Sequence, residues 1–192
     1  KELTDVELCQ HYIVYKTIDI CRTYPRYRDM MDEAESGWNG NSLVLQEGVI
    51  ADAIGTLRQD NSHVTLKIRQ CLNYMEEREE KQENPFEVLD RKTTEKKLRE
   101  KYKDCFLVKF DELKSYYQVD PFPLDLLPPP IYKQEVLYQS SGKEDDFMPY
   151  RFLSSGEKQL VNNLGAIIYH IRNIDSVSVA GKKYENLNIT IE

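Results

Sequence analysis

The chain has 192 residues, of which 40% are hydrophobic and 31% are charged, and its formal net charge is −7. This length supports one sizeable domain, or one domain with an appendage. No apolar stretch approaches the roughly 18 residues that span a bilayer, which argues against a membrane protein. The negative charge argues against a general attraction to nucleic acid or anionic lipid, although a local basic patch remains compatible with it.

The four cysteines, Cys9, Cys21, Cys71 and Cys105, are widely scattered, and none forms a Cys-x-x-Cys pair. Neither a zinc site nor a redox motif is therefore indicated. No signal-peptide pattern opens the chain, so we expect reduced thiols and a cytoplasmic location. The chain begins at Lys1 and stops at Glu192 directly after an apolar run, and we interpret it as a piece of a longer protein.

The first predicted element is a helix from about residue 5 to residue 24. Thr4 and Glu7 have the spacing of a capping box, in which each side chain bonds the backbone amide of the other residue. Pro25 marks the end, because proline disrupts the interior of a helix. A loop around Trp38 follows, and residues 43–57 are predicted to be helical despite two glycines.

Two further helices are predicted over residues 63–81 and 93–117. In the first, apolar side chains recur every three or four residues over less than two heptads, which is too short for a long coiled coil. In the second, Lys109 interrupts the apolar stripe, but its aliphatic stem can still cover apolar surface. The residues around Asn84 and Pro85 are interpreted as a short connection between these helices.

Two proline-rich stretches then change the character of the chain, at residues 120–123 and 128–130. Proline fixes φ and removes amide donors, so we interpret residues 121–130 as a stiff connector. A proline-rich ligand for a recognition domain is the alternative interpretation. A strand is predicted from residue 131 to residue 138, and a second one over the last six residues, 187–192.

The heptapeptide from Leu153 to Gln159 (Leu-Ser-Ser-Gly-Glu-Lys-Gln) carries the chemistry that we single out. Ser154 and Glu157 again have capping-box spacing, which marks a helix start. Ser155 and Gly156 add a hydroxyl and a bare backbone at a helix N-terminus, where amide donors favour an anion such as a γ-phosphate. Lys158 adds a nearby cation. The helix, predicted to reach about residue 173, then shows one apolar face that can anchor it in a core: Leu160, Val161, Leu164, Ile167, Ile168 and Ile171. A plain capped helix is the simpler interpretation.

This heptapeptide resembles the signature motif of ABC-type ATPases, above all that of the SMC and RecF-like branch, where it reads roughly Leu-Ser-Gly-Gly-Glu-Lys. The resemblance covers about residues 131–192. It implies that Ser154, Ser155, Gly156, Glu157 and Lys158 contact an ATP that is held by a second head, so that two heads sandwich the nucleotide. It also implies that Glu192 stands where the Walker B acid begins, as a catalytic residue that handles Mg²⁺.

Three departures from the family pattern matter. Ser155 replaces the first glycine of the motif, and Glu192 replaces the usual aspartate. The connection between the helix and the strand, residues 173–186, is longer than in compact members of the family. In addition, no Gly-x-x-x-x-Gly-Lys-[Ser/Thr] phosphate loop (Walker A) occurs anywhere in the chain. The resemblance therefore implies a fragment that lacks the first lobe of the head and hydrolyses no ATP alone. ATP and Mg²⁺ are expected only in the full-length dimer.

The predicted fold is mainly α with a small α/β part. Residues 1–120 form a helical insertion or coiled-coil-like lobe, residues 121–130 the connector, and residues 131–192 the signature half of an ABC-type head. The expected partners are a second copy of the head, in a homodimer, and the missing Walker A lobe. The full-length protein is expected to serve DNA maintenance or phage defence and to be able to act on DNA. The alternative is a helical protein-interaction module with no nucleotide role; a nucleic-acid-binding domain is a third candidate, which the net charge disfavours.

Overall fold

The structure is a computed structural model, and the residues that it describes are 2–28, 47–92, 100, 102–103, 105–139 and 147–176. Secondary structure in these ranges is mainly helical, with a single two-stranded antiparallel sheet, so the predicted class is confirmed. Two compact units are present. We call residues 1–60 and 64–133 the N-terminal unit, and residues 61–63 and 134–192 the C-terminal unit.

The N-terminal unit is built from helices. Those with described bounds are, in chain order, α1 (Asp5–Thr23), α2 (Glu47–Gln59), α3 (Leu66–Lys81), α4 (Pro85–Lys92) and α5 (Phe110–Tyr117), followed by a 3₁₀ turn (Leu124–Leu126). Helices α1, α2 and α3 contact one another. Their facing sides bury a common core of mostly apolar side chains, which includes Cys9, Ile13, Ile20, Leu57, Ile68 and Cys71.

Helix α1 begins and ends where the sequence predicts. Its capping box is formed, because the Thr4 amide donates to Glu7 Oε2 at 2.7 Å and the Glu7 amide donates to Thr4 Oγ1 at 3.2 Å. The last helical residue is Thr23, two residues before Pro25. Both signals are local in sequence, which is why the pattern alone finds this helix.

The single long helix predicted over residues 93–117 is wrong. Residues 106–109 are not helical, and α5 begins only at Phe110. The Leu107 amide instead donates to Asp90 Oδ1 at 2.8 Å, so a carboxylate on α4 takes the place of a helical carbonyl. The residues interpreted as a connection begin α4: Asn84 Oδ1 accepts from the Phe86 amide at 3.0 Å, and Pro85 occupies the first helical position.

Residues of the predicted proline-rich connector pack against α3. Gln70 Nε2 donates to the Leu124 carbonyl at 2.9 Å, and Asn73 Nδ2 donates to the Asp125 carbonyl at 3.2 Å. Pro129 is fully buried, and Ile131 and Tyr132 pack against the core. Of the strand predicted over residues 131–138, only residues 137 and 138 are in a strand, and residues 131–136 are not.

The C-terminal unit contains the sheet and the longest helix. Strand β1 (Leu137–Gln139) pairs antiparallel with β2 (Phe147–Pro149), with Tyr138 opposite Met148. A 3₁₀ turn (Tyr150–Phe152) follows β2, and α6 (Ser155–Ser176) completes the described part. The predicted helix after the signature is thereby confirmed.

Several predictions fall outside the described residues. These are the loop around Trp38, Glu192 and the terminal strand over residues 187–192. Among the helices in the described ranges, none combines the length and apolarity that crossing a membrane requires.

Candidate functional site

The turn that opens α6 forms a complete capping box. The Ser154 amide donates to Glu157 Oε2 at 2.8 Å, and the Glu157 amide donates to Ser154 Oγ at 3.3 Å. The hydrogen bonds that the Glu157 carboxylate accepts, first from the Ser154 side chain and then from the Ser154 amide, lower the pKa of that carboxyl below its usual value of 4.5. Glu157 is therefore an ionised cap at neutral pH, and capping alone accounts for Ser154 and Glu157.

Two backbone amides of the turn take no part in the hydrogen bonds of this capping box. Ser155 and Gly156 occupy the first two helical positions, whose amides have no helical carbonyl to bond. No hydrogen bond is present from either amide to any other residue in the described part of the chain. These two amides are the donors that a ligand outside the unit could bind, at the positive end of the helix.

The turn is open to solvent. Residues 154–157 are all exposed, and a Cβ added to Gly156 would meet no atom within 4 Å. Packing among the described residues therefore does not require glycine at this position. A ligand that approaches Ser155 and Gly156 has room to do so, but it also meets the Glu157 carboxylate, whose charge opposes an anion.

Lys158 lies at the same turn, and its ammonium is directed back to the preceding turn. Lys158 Nζ donates to the Arg151 carbonyl at 2.6 Å, and the Lys158 amide donates to the Ser154 carbonyl at 2.9 Å. The Tyr150 hydroxyl bonds Asn162 one turn further along α6. These contacts fix the start of α6 against the 3₁₀ turn that precedes it.

Arg151 is a cation that the sequence-based interpretation missed. Its guanidinium lies over the Phe152 ring, 5.3 Å from the centroid, and its Nη1 is 3.6 Å from Glu135 Oε1. Arg151 is exposed, three residues before Ser154. The signal was present in the sequence as a basic residue between two aromatic ones, Tyr150 and Phe152, directly before the motif.

Among the described residues, the apolar face of α6 is not anchored in a core, contrary to the prediction. Leu160 is 62% exposed, Leu164 is 54% exposed and Ile168 is 53% exposed. Val161 is also exposed, while Ile167 and Ile171 are half-buried. Within the described residues, the C-terminal unit offers a short sheet, one turn and residues 61–63, of which the His63 ring lies 6.1 Å from the Tyr169 ring, centroid to centroid. This is too little apolar surface to cover a helix of six turns.

Of the predicted site residues, the structure brings together Ser154, Ser155, Gly156, Glu157 and Lys158 in one turn. Glu192, predicted as the catalytic acid and Mg²⁺ ligand, lies outside the described residues. Within the described ranges, no three or more His, Cys, Asp or Glu side chains are grouped as a metal site would require.

No family model matches the chain, and neither a curated protein nor a solved structure does so.

Proposed function

We propose that this chain is the signature half of an ABC-type ATPase head of the SMC/RecF-like branch, and that its signature turn completes the nucleotide site of a partner head. The observation that carries the proposal is the exposed turn at residues 154–157, where the Ser155 and Gly156 amides make no hydrogen bond to another described residue and the space beside Gly156 is open. A terminal phosphate fits such a helix start, because the donors point outward and the helix end is positive.

Under this proposal the chain acts in the cytoplasm as part of a longer protein. The first lobe of the head supplies the phosphate loop, and ATP with Mg²⁺ binds there. A second copy then presses its signature turn onto the γ-phosphate, so ATP joins the two heads. Glu192 is the Mg²⁺-handling acid in this scheme. DNA maintenance or phage defence is the process we assign to the full-length protein.

The exposed apolar face of α6 supports this arrangement. Three large side chains of this face, Leu160, Leu164 and Ile168, are more than half exposed, and such a stripe marks a surface that another element covers. The missing first lobe of the same head is the element we assign to it. The signature turn would then be held by α6 while its amides stay outside.

The deciding experiment measures ATP-dependent head dimerisation of the full-length protein by analytical ultracentrifugation. Ser154→Arg places a long cation where the phosphate would sit, and we expect dimerisation and ATP turnover to be lost. Ala166→Arg adds the same charge to an exposed position on the opposite side of α6 from the apolar face, and we expect it to dimerise normally. Ser154→Ala removes the capping side chain without adding bulk. It therefore shows whether a weakened helix start alone, without a blocked site, affects dimerisation.

A second candidate function is a helical protein-interaction module without a nucleotide role. The exposed stripe on α6 favours it as well, since a partner protein could cover the same side chains. The two candidates differ in what precedes this segment in the full-length protein: the ATPase requires a Gly-x-x-x-x-Gly-Lys-[Ser/Thr] loop there. Normal ATP-driven dimerisation in the Ser154→Arg protein would refute the assigned role of the signature turn.

A further inference from the structure

Arg151 is fixed beside the signature turn (residues 154–157) through its backbone. Its carbonyl accepts from Lys158 Nζ at 2.6 Å, and the Leu153 amide donates to the Tyr150 carbonyl at 3.1 Å, which closes the 3₁₀ turn that contains Arg151. Neither bond involves the Arg151 side chain. A substitution of this side chain therefore leaves the contacts that hold the start of α6 in place.

The Arg151 guanidinium itself is held only loosely. Its Nη1 lies 3.6 Å from Glu135 Oε1, beyond ordinary hydrogen-bond distance, and the Arg151 and Glu135 side chains are 62% and 34% exposed. An exposed ion pair of this kind contributes little to stability, so it is easily exchanged for another anion. The Phe152 ring, whose centre is 5.3 Å from the guanidinium carbon, supports one face of the group and leaves the N–H groups at its edge able to donate.

The charges around the signature turn show why a second cation matters there. The Glu157 carboxylate caps α6 and opposes an anion at the turn, and the Lys158 ammonium is already bonded to a carbonyl. Arg151 and Lys158 are the two basic residues in the sequence from Phe147 to Asn162. Arg151 is accordingly the cation next to the turn whose charge can be turned toward a ligand at little cost.

We propose that Arg151 leaves Glu135 and binds the terminal phosphate of the nucleotide that the partner head holds. This inference rests on the proposed function, and it adds the residue that supplies positive charge on the signature side of the site. A guanidinium suits a phosphate because its N–H groups form a fork that meets two phosphate oxygens at once. The terminal phosphate of ATP replaces Glu135 as the anion that Arg151 contacts, whereas ADP lacks this phosphate and leaves the ion pair as it is.

The test is ATP-dependent head dimerisation of the full-length protein with Mg²⁺, measured by analytical ultracentrifugation. Arg151→Gln removes the charge and the fork, and we expect dimerisation to weaken about 10- to 100-fold, as for the loss of one hydrogen-bonded charge. Arg151→Lys keeps the charge without the fork and should lie between this variant and the native protein. ATP binding by heads too dilute to dimerise should not change, because each head holds its own nucleotide through the phosphate loop of its first lobe.

Glu135→Gln tests the exchange of anions, and it should act in the opposite direction. Without the competing carboxylate, Arg151 is available to the phosphate, so dimerisation should strengthen about 2- to 5-fold. An ion pair with a structural role alone would instead make both substitutions weaken dimerisation. Arg91 and Glu87 on α4 form a matched pair, since their charged atoms are 3.0 Å apart and both side chains are at least half exposed; Arg91→Gln and Glu87→Gln should leave dimerisation unchanged.

Two results would overturn this role of Arg151. One is dimerisation of the Arg151→Gln protein at the native affinity, and the other is weaker dimerisation of the Glu135→Gln protein. The Ser154→Arg variant separates the failure of this role from the failure of the proposed function. If Ser154→Arg blocks dimerisation while Arg151→Gln does not, the signature turn keeps its role and Arg151 loses its own; if Ser154→Arg dimerises normally, both roles are refuted.

Discussion

Leu57 on α2 of the N-terminal unit is 0% exposed, whereas Leu164 on α6 of the C-terminal unit is 54% exposed. Both are leucines in helices with an amphipathic pattern, so the sequence alone does not separate them. In the N-terminal unit the described helices bury one another, while the described part of the C-terminal unit leaves its main helix uncovered. An amphipathic pattern indicates that a helix has a partner surface, but not that the partner lies within the same segment.

The sharpest test of this difference is the same substitution at both positions. Leu57→Ala removes a side chain from a closed core and leaves a cavity, and we expect a loss of about 3 kcal/mol in the free energy of unfolding. Leu164→Ala should change it by less than about 0.5 kcal/mol. Urea unfolding of the chain measures both. Equal losses would mean that α6 is covered within this chain.

A second test addresses the polar contacts of the N-terminal unit. The Tyr132 hydroxyl donates to Asp5 Oδ2 at 2.8 Å and accepts from Asn84 Nδ2 at 3.1 Å. The same hydroxyl is hydrogen-bonded to the Tyr74 hydroxyl at 2.9 Å. Tyr132→Phe removes all three bonds inside the unit, and we expect a loss of about 1–2 kcal/mol, measured by urea unfolding. Tyr15 is 69% exposed, so Tyr15→Phe is the control and should be nearly neutral.

The same residue predicts an alkaline weakening of the N-terminal unit. Burial, together with the hydrogen bond to Asp5 and the charge of that carboxylate, raises the pKa of Tyr132 from 10.0 to about 12, although the hydrogen bonds with Tyr74 and Asn84 lower it. The folded unit then holds this proton more tightly than the unfolded chain, so the stabilisation is complete below pH 10 and is lost as the pH rises toward 12. Urea unfolding across this window should show a shallower decline for Tyr132→Phe. An unchanged decline would assign the effect to the other buried tyrosines.

The two capping boxes allow a smaller comparison. Thr4→Ala and Ser154→Ala each remove the side chain that accepts from the third helical amide, worth about 1 kcal/mol. Because α1 is packed in a core, we expect Thr4→Ala to lower global stability. Ser154→Ala should only speed amide exchange in the first turn of α6, with Ser155→Ala as the unchanged control. A global loss with Ser154→Ala would contradict this difference.

The smallest expected effect is an acid fraying of α6. The pKa of Glu157 is lowered from 4.5, so the ionised cap stabilises the helix start above that value and loses this effect as the pH falls through the lowered pKa. Amide exchange in residues 155–158 should accelerate in acid beyond its intrinsic pH dependence. Glu157→Gln should remove this extra acceleration, and its persistence would assign the effect to another group.

The sequence predicted those features that local signals determine. The starts of α1 and α6 follow from capping boxes, and the end of α1 follows from Pro25. The helix mispredicted over residues 93–117 failed for a tertiary reason: the Leu107 amide bonds Asp90, 17 positions earlier, and so leaves the helical path. The start of α4 could have been predicted, because Asn84 followed by Pro85 is a common helix opening.

The candidate site divides in the same way. The turn from Ser154 to Lys158 was predictable, since its five residues are consecutive and form their own cap. The exposure of Leu164 was not, because it depends on surface that other segments supply. Nor could spacing place Cys9 and Cys71 in one core, which only the packing of α1 on α3 does.

The bond between Tyr132 and Asp5 spans 127 positions and joins the start of α1 to the last part of the N-terminal unit. During synthesis, α1 leaves the ribosome long before its final contacts exist. At a synthesis rate of about 5–20 residues per second, residue 132 is added several seconds to tens of seconds after α1. The apolar side chains of α1 lack their final partners for that time, so slower translation over residues 24–132 lengthens the period in which they are exposed.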